Sequence, residues 1–77
     1  MNKERRERIA EARQLLSYAL EIIQEVAEGE REAFDNLSES LQNSERGAQI
    51  DAAADAAESA ESCVADALSH LDEAMGQ

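Results

Sequence analysis

The sequence predicts an all-α fold, an antiparallel helical hairpin of two long helices with a short helical turn in the connector, dimerising into a four-helix bundle. Three observations predict it. Proline is absent and alanine abundant, so helix propensity is high through most of the 77 residues. Apolar residues recur every three or four positions in two long stretches. The turn-forming residues concentrate between those stretches. The expected organisation is a single domain over 1–77, with a helix over about 3–35, a connector over about 36–44 and a helix over about 45–75.

In the first helix Ile9, Ala12, Leu16, Ala19, Ile23 and Val26 follow a 3-4-3-4-3 spacing of the heptad a and d type. Leu15, Leu20, Ile22 and Ala27 widen that stripe beyond what one partner helix covers, which predicts packing on two fronts. Gly29 lowers helix propensity by roughly 1 kcal/mol against alanine, and Ala33, Phe34 and Leu37 carry the pattern past it. In the connector, Asn36 with Glu39 has capping-box spacing, so a helical turn carrying Leu37 and Leu41 is expected, with Asn43 or Ser44 capping the helix that follows.

In the second helix Ile50, Ala57, Val64 and Leu71 share one heptad position. Ala53, Ala60, Ala67 and Ala74 share the other, and small residues there let two helix backbones approach closely. Asp51, Asp55, Glu58, Asp66, Asp72 and Glu73 are expected mainly on the opposite, solvated side. The residues expected to pack the core or a dimer interface are Ile9, Leu16, Ile23, Val26, Ile50, Ala57, Val64 and Leu71.

Charge gives the strongest functional signal. Eighteen acids against seven bases leave a formal net charge of −11. Direct contact with DNA, RNA or an anionic membrane is therefore disfavoured, and a basic protein or a basic groove is the expected partner. Glu21, Glu25, Glu28, Glu32, Asp35 and Glu39 are spaced 4-3-4-3-4, which on a continuous helix places six carboxylates in one line. Such a run can be no more than a solvated face. Against that plain reading stands the scarcity of lysine or arginine one turn away, where a merely soluble helix interleaves signs. Neighbouring carboxylates on that line lie roughly 5–6 Å apart, a spacing of the order needed to present phosphate-like charges to a basic groove. Lys3, Arg5, Arg6, Arg8 and Arg13, interrupted by Glu4, Glu7 and Glu11, are expected to pair with Asp66, Asp72 and Glu73 at the end of the second helix.

No catalytic constellation is legible. The sequence holds no glycine-rich phosphate loop or nucleophile elbow, and His70 and Cys63 are too far apart on one helix for a dyad. Asp66, His70 and Glu73 could hold one cation at a helix surface, but the Glu-x-x-His pattern of di-iron bundles is missing because Ala67 precedes His70 by three. Neither a cofactor nor a metal is expected. Cys63 reads as a small hydrophobe at the edge of the seam, with a cross-dimer disulfide or a reactive thiol as the alternative, and Tyr18 and Phe34 read as core fillers, with Tyr18, which lies off the seam, as the alternative anchor for a partner. No apolar run reaches transmembrane or signal-peptide length, and the single cysteine fits a reducing cytoplasm.

The connector Glu32-Ala33-Phe34-Asp35-Asn36-Leu37-Ser38-Glu39-Ser40-Leu41-Gln42-Asn43-Ser44-Glu45-Arg46-Gly47, followed by an alanine- and acid-rich helix, resembles a pattern in small acidic helical proteins of bacteriophages and prophages. The resemblance implies no catalytic residues. It implies a mobile-element context, in which such proteins bind and inhibit host proteins, host-defence proteins among them, some by imitating nucleic acid. The function expected is thus a non-enzymatic, homodimeric inhibitor that blocks a basic host surface. The alternatives are a structural or regulatory helical dimer whose acidity serves solubility, and a carboxylate metal-binding bundle.

Overall fold

The structure is a computed structural model that describes residues 1–76. It is a helical hairpin: α1 spans Lys3–Asp35, α2 spans Glu39–Gln42 and α3 spans Glu45–Gly76. The molecule is a rod of 57 × 15 × 14 Å.

Each helix end has a chemical cause. Asn2 opens α1, its side-chain oxygen accepting the Arg5 backbone N–H at 2.8 Å. The helix continues through Gly29 and closes at Asn36, whose N–H returns to the Glu32 carbonyl at 3.0 Å. Ser38, and not Asn36 as the capping-box spacing suggests, caps α2 by accepting the Leu41 N–H at 3.3 Å. Ser44 caps α3, its hydroxyl oxygen accepting the Gly47 N–H at 3.2 Å while donating to the Leu41 carbonyl. Gln42 ties the connector back to α1 by donating to the Phe34 carbonyl at 3.0 Å.

Gly47 is buried in the first turn of α3. A β-carbon there would collide with the carbonyl oxygens of Leu41 and Gln42, so a hydrogen at this position is what lets α3 start directly against α2.

The long helices run antiparallel. Arg6 meets Met75, Arg13 meets Asp72, Gln24 meets Glu61, and Arg31 meets Asp51, Asp55 and Glu58, so one number falls as the other rises. Arg6 donates to the Met75 carbonyl at 2.6 Å and so brings a cation to the C-terminal turn of α3, which has no basic residue of its own.

The seam between α1 and α3 keeps the expected Ile9, Leu16, Ile23, Ile50, Ala57, Val64 and Leu71 but is turned toward the residue that follows each of the other expected positions. On α1 the buried or partly buried positions are Arg6, Ile9, Ala12, Arg13, Leu16, Ala19, Leu20, Ile23, Gln24, Ala27, Glu30, Arg31 and Phe34. Val26 is 52% exposed, and Ala27, at 3%, takes its place. On α3 Ile50, Ala57, Val64 and Leu71 lie on the seam, but their companions are Gly47, Ala54, Glu61, Leu68 and Met75. Ala53 and Ala60 are exposed, whereas Ala67 and Ala74 stay partly buried. The rotation brings Leu20, Phe34, Leu68 and Met75 inward, which buries more apolar area than alanines at the same points, and it sets Arg31 against three carboxylates. Ala27 and Ala54 are the only buried apolar residues among those described, and no large side chain is fully enclosed.

Candidate functional site: an acidic groove between the helices

The turned seam gives the hairpin two unlike flanks. On an antiparallel pair, residues that follow the seam on one helix face those that follow it on the other. Here these are Gln24 and Arg31 on α1, and Asp51, Glu58 and Asp72 on α3. Glu21, Glu28 and Asp35 extend this flank on α1, and Asp55 extends it on α3.

At its centre Arg31 stands among three carboxylates. Its Nη1 donates to Asp51 at 2.8 Å, and its Nη2 donates to Asp55 at 2.9 Å and Glu58 at 3.0 Å. The guanidinium also lies 5.8 Å from the centre of the Phe34 ring, within cation–π range. Hydrogen bonding to Glu58 first, and then to Asp51, holds the Arg31 pKa above the ordinary arginine value. Beside this cluster an open depression of about 320 Å³ is lined by Ala27, Glu28, Arg31, Glu32, Asp35, Glu58 and Glu61. Five carboxylates thus share a groove with one guanidinium.

Of the six expected ladder residues, Glu21, Glu25, Glu28, Glu32 and Asp35 lie along α1 and are exposed. Glu39 is separated from them, because α1 ends at Asp35 and Glu39 opens α2. None of the six joins an ion pair among the described residues. Glu28, Glu32 and Asp35 lie toward the C-terminal end of α1, where the helix dipole is itself negative and the last turn holds no basic residue.

Sequence reasoning missed Glu58 and Glu61, which line the groove, and Asp51 and Asp55, which hold Arg31 beside it, having set Asp51, Asp55 and Glu58 on the far side of α3. Two signals pointed to them. Arg31 is the lone base between Arg13 and Arg46, and Glu61 falls at a seam position where an apolar residue belongs. The basic N-terminal stretch is engaged only in part as foreseen. Arg13 pairs with Asp72, with Nε 2.6 Å from Oδ1 and the hydrogen bond running from Nη2 at 3.3 Å. Arg8 pairs with Glu11 of its own helix at 2.8 Å. Glu73 faces His70 at 3.6 Å, both largely exposed. Among the described residues no three histidine, cysteine or acidic side chains converge in a way that would hold a metal ion, and no helix is long and apolar enough to cross a membrane.

The opposite flank is apolar. It carries Ala12, Leu15, Ala19, Ile22, Val26 and Ala33 from α1, and Ala53, Ala56, Ala60, Cys63, Ala67 and Ala74 from α3. Leu15 at 71% and Tyr18 at 67% are the most exposed large apolar side chains. No protein-family model, curated protein or solved structure matches the chain.

Proposed function

We propose that this chain is a non-enzymatic acidic binding module, a homodimer of the phage-inhibitor type, that occupies a basic surface of a host protein and blocks it. The segregation of charge carries this reading. Glu28, Glu32 and Asp35 of α1 converge with Glu58 and Glu61 of α3 on one groove, while the opposite flank is mainly apolar between Ala12 and Ala33. A lysine or arginine of the partner entering that groove would gain charge-assisted hydrogen bonds, and the flanking Glu21 and Glu25 would steer its approach. Carboxylates one helical turn apart give the face the periodic negative charge of a nucleic-acid backbone, so a nucleic-acid-binding host protein is the favoured class of target.

Binding to an arginine-rich peptide tests the reading. Reversal of Glu25, Glu28 and Glu32 to lysine is expected to weaken binding by more than tenfold with helicity unchanged. The same number of reversals at Glu4, Glu7 and Asp66, away from the groove, should weaken it only by the shared loss of net charge. Equal losses in the two triple variants would mean that the acids are only a solvated face.

A further inference from the structure

We propose that the apolar flank is closed by a second copy of this chain, related by a two-fold axis parallel to the helices, so that α1 of each copy lies on α3 of the other. The inference specifies the homodimer of the proposed function and concerns the flank opposite the groove. Three observations choose this occupant and this arrangement.

The hairpin by itself is under-packed, with only Ala27 and Ala54 buried among the described apolar residues. The uncovered flank between Ala12 and Ala33 is roughly 32 Å long at 1.5 Å per residue. Across two helices it offers on the order of 600 Å² per copy, so two copies together reach the lower range of stable interfaces. A self-complementary patch is what a two-fold interface requires.

Size complementarity fixes which helix meets which. The α1 side of the flank is a ridge of Leu15, Ile22 and Val26, and the α3 side is a shelf of Ala53, Ala56, Ala60, Cys63 and Ala67 that ends at His70, level with Leu15. The contacts of Gln24 with Glu61 and of Arg13 with Asp72 put Ile22 level with Cys63 along the rod. With the axis parallel to the helices, each ridge settles on the other copy's shelf, large side chains against small. With the axis crossing the helices, ridge would meet ridge and shelf would meet shelf, holding one pair of helices apart where the other pair is closest.

Charge agrees with the first arrangement. Arg5 and Arg8 border the ridge at one end of the rod, and Glu73 borders the shelf at that same end. At the other end Arg46 borders the shelf. Ridge on shelf therefore sets Arg8 beside Glu73 of the two copies. Arg46 has no ion-pair partner among the described residues, and Arg5 likewise has none.

The test uses Cys63, which is free and exposed on the shelf. Light scattering of the unaltered chain is expected to give twice the 8.4 kDa of one copy. Mild oxidation of the Ile22→Cys variant should then give a covalent dimer linked between Cys63 of one copy and the new thiol of the other, since disulfides form only across short Cα separations. In the second variant, Ala60→Glu, a carboxylate is added at a position exposed in the hairpin but covered in the dimer, and a single-copy mass is expected. A monomeric unaltered chain would overturn the proposal, as would links joining like positions or a dimer untouched by Ala60→Glu. Any of these leaves peptide binding by the acidic groove intact, so the two proposals fail separately.

Discussion

Gly47 and Gly29 show how one residue type can be required at one position and incidental at another. An added methyl at Gly47 meets the backbone oxygens of Leu41 and Gln42, which cannot swing aside as a side chain can, whereas at Gly29 it meets nothing within 4 Å. Gly47→Ala is therefore expected to lose about 1–3 kcal/mol, the ordinary cost of forcing atoms into filled space. Gly29→Ala is expected to gain up to ~1 kcal/mol through helix propensity and a less flexible unfolded chain. Urea unfolding of the two variants checks both signs. A neutral Gly47→Ala would mean that α3 does not need its close start against α2.

At the scale of the elements, Arg31 joins α1 to α3. Arg31→Gln keeps the size and polarity of the side chain but leaves Asp51, Asp55 and Glu58 without their cation, so the melting temperature should fall. The sign with pH follows from the raised pKa. A group whose pKa is higher folded than unfolded contributes in full below its unfolded value, which for arginine is strongly alkaline, and loses that contribution only as pH rises through the folded one. The gap between Arg31→Gln and the unaltered chain should therefore stay constant from neutral to mildly alkaline pH. A gap that closes over that range would assign the effect to another group.

The same pair of helices shows what the sequence made legible. Propensity, apolar period and clustered turn formers were enough for two long helices, a helical turn between them and their hairpin arrangement. The seam was harder, because Ile9, Leu16 and Ile23 each have a non-acidic residue at both the third and the fourth following position, and Ala53–Ala54, Ala67–Leu68 and Ala74–Met75 repeat the choice on α3. Which residue of each pair turns inward depends on the opposing helix. Because the other row stays in place, the choice turns the middle of each stripe by about 50°, half of one residue's step, enough to move Asp51 and Glu58 from a presumed solvent face to the edge of the groove. The α1 part of the candidate site was thus legible from spacing alone, and the α3 part was not.

For the whole molecule the governing fact is a net charge of −11 on a rod 15 Å across. Among the described residues favourable ion pairs of arginine are few: Arg8 with Glu11, Arg13 with Asp72, and Arg31 with its three acids. Most of the remaining carboxylates repel one another along and across the rod, and a compact state pays more for that repulsion than an expanded chain does. Salt screens both kinds of interaction, with a Debye length of about 30 Å at 0.01 M and about 3 Å at 1 M. Because unpaired acids outnumber paired ones, screening should remove more repulsion than attraction, so the melting temperature should rise with sodium chloride. Arg31→Gln, having lost its attraction already and gained exposed repulsion, should rise more steeply and narrow its deficit at high salt. Thermal melts of both proteins at matched concentration across that range check the argument. A melting temperature that falls with salt would show that the few ion pairs outweigh the many unpaired acids.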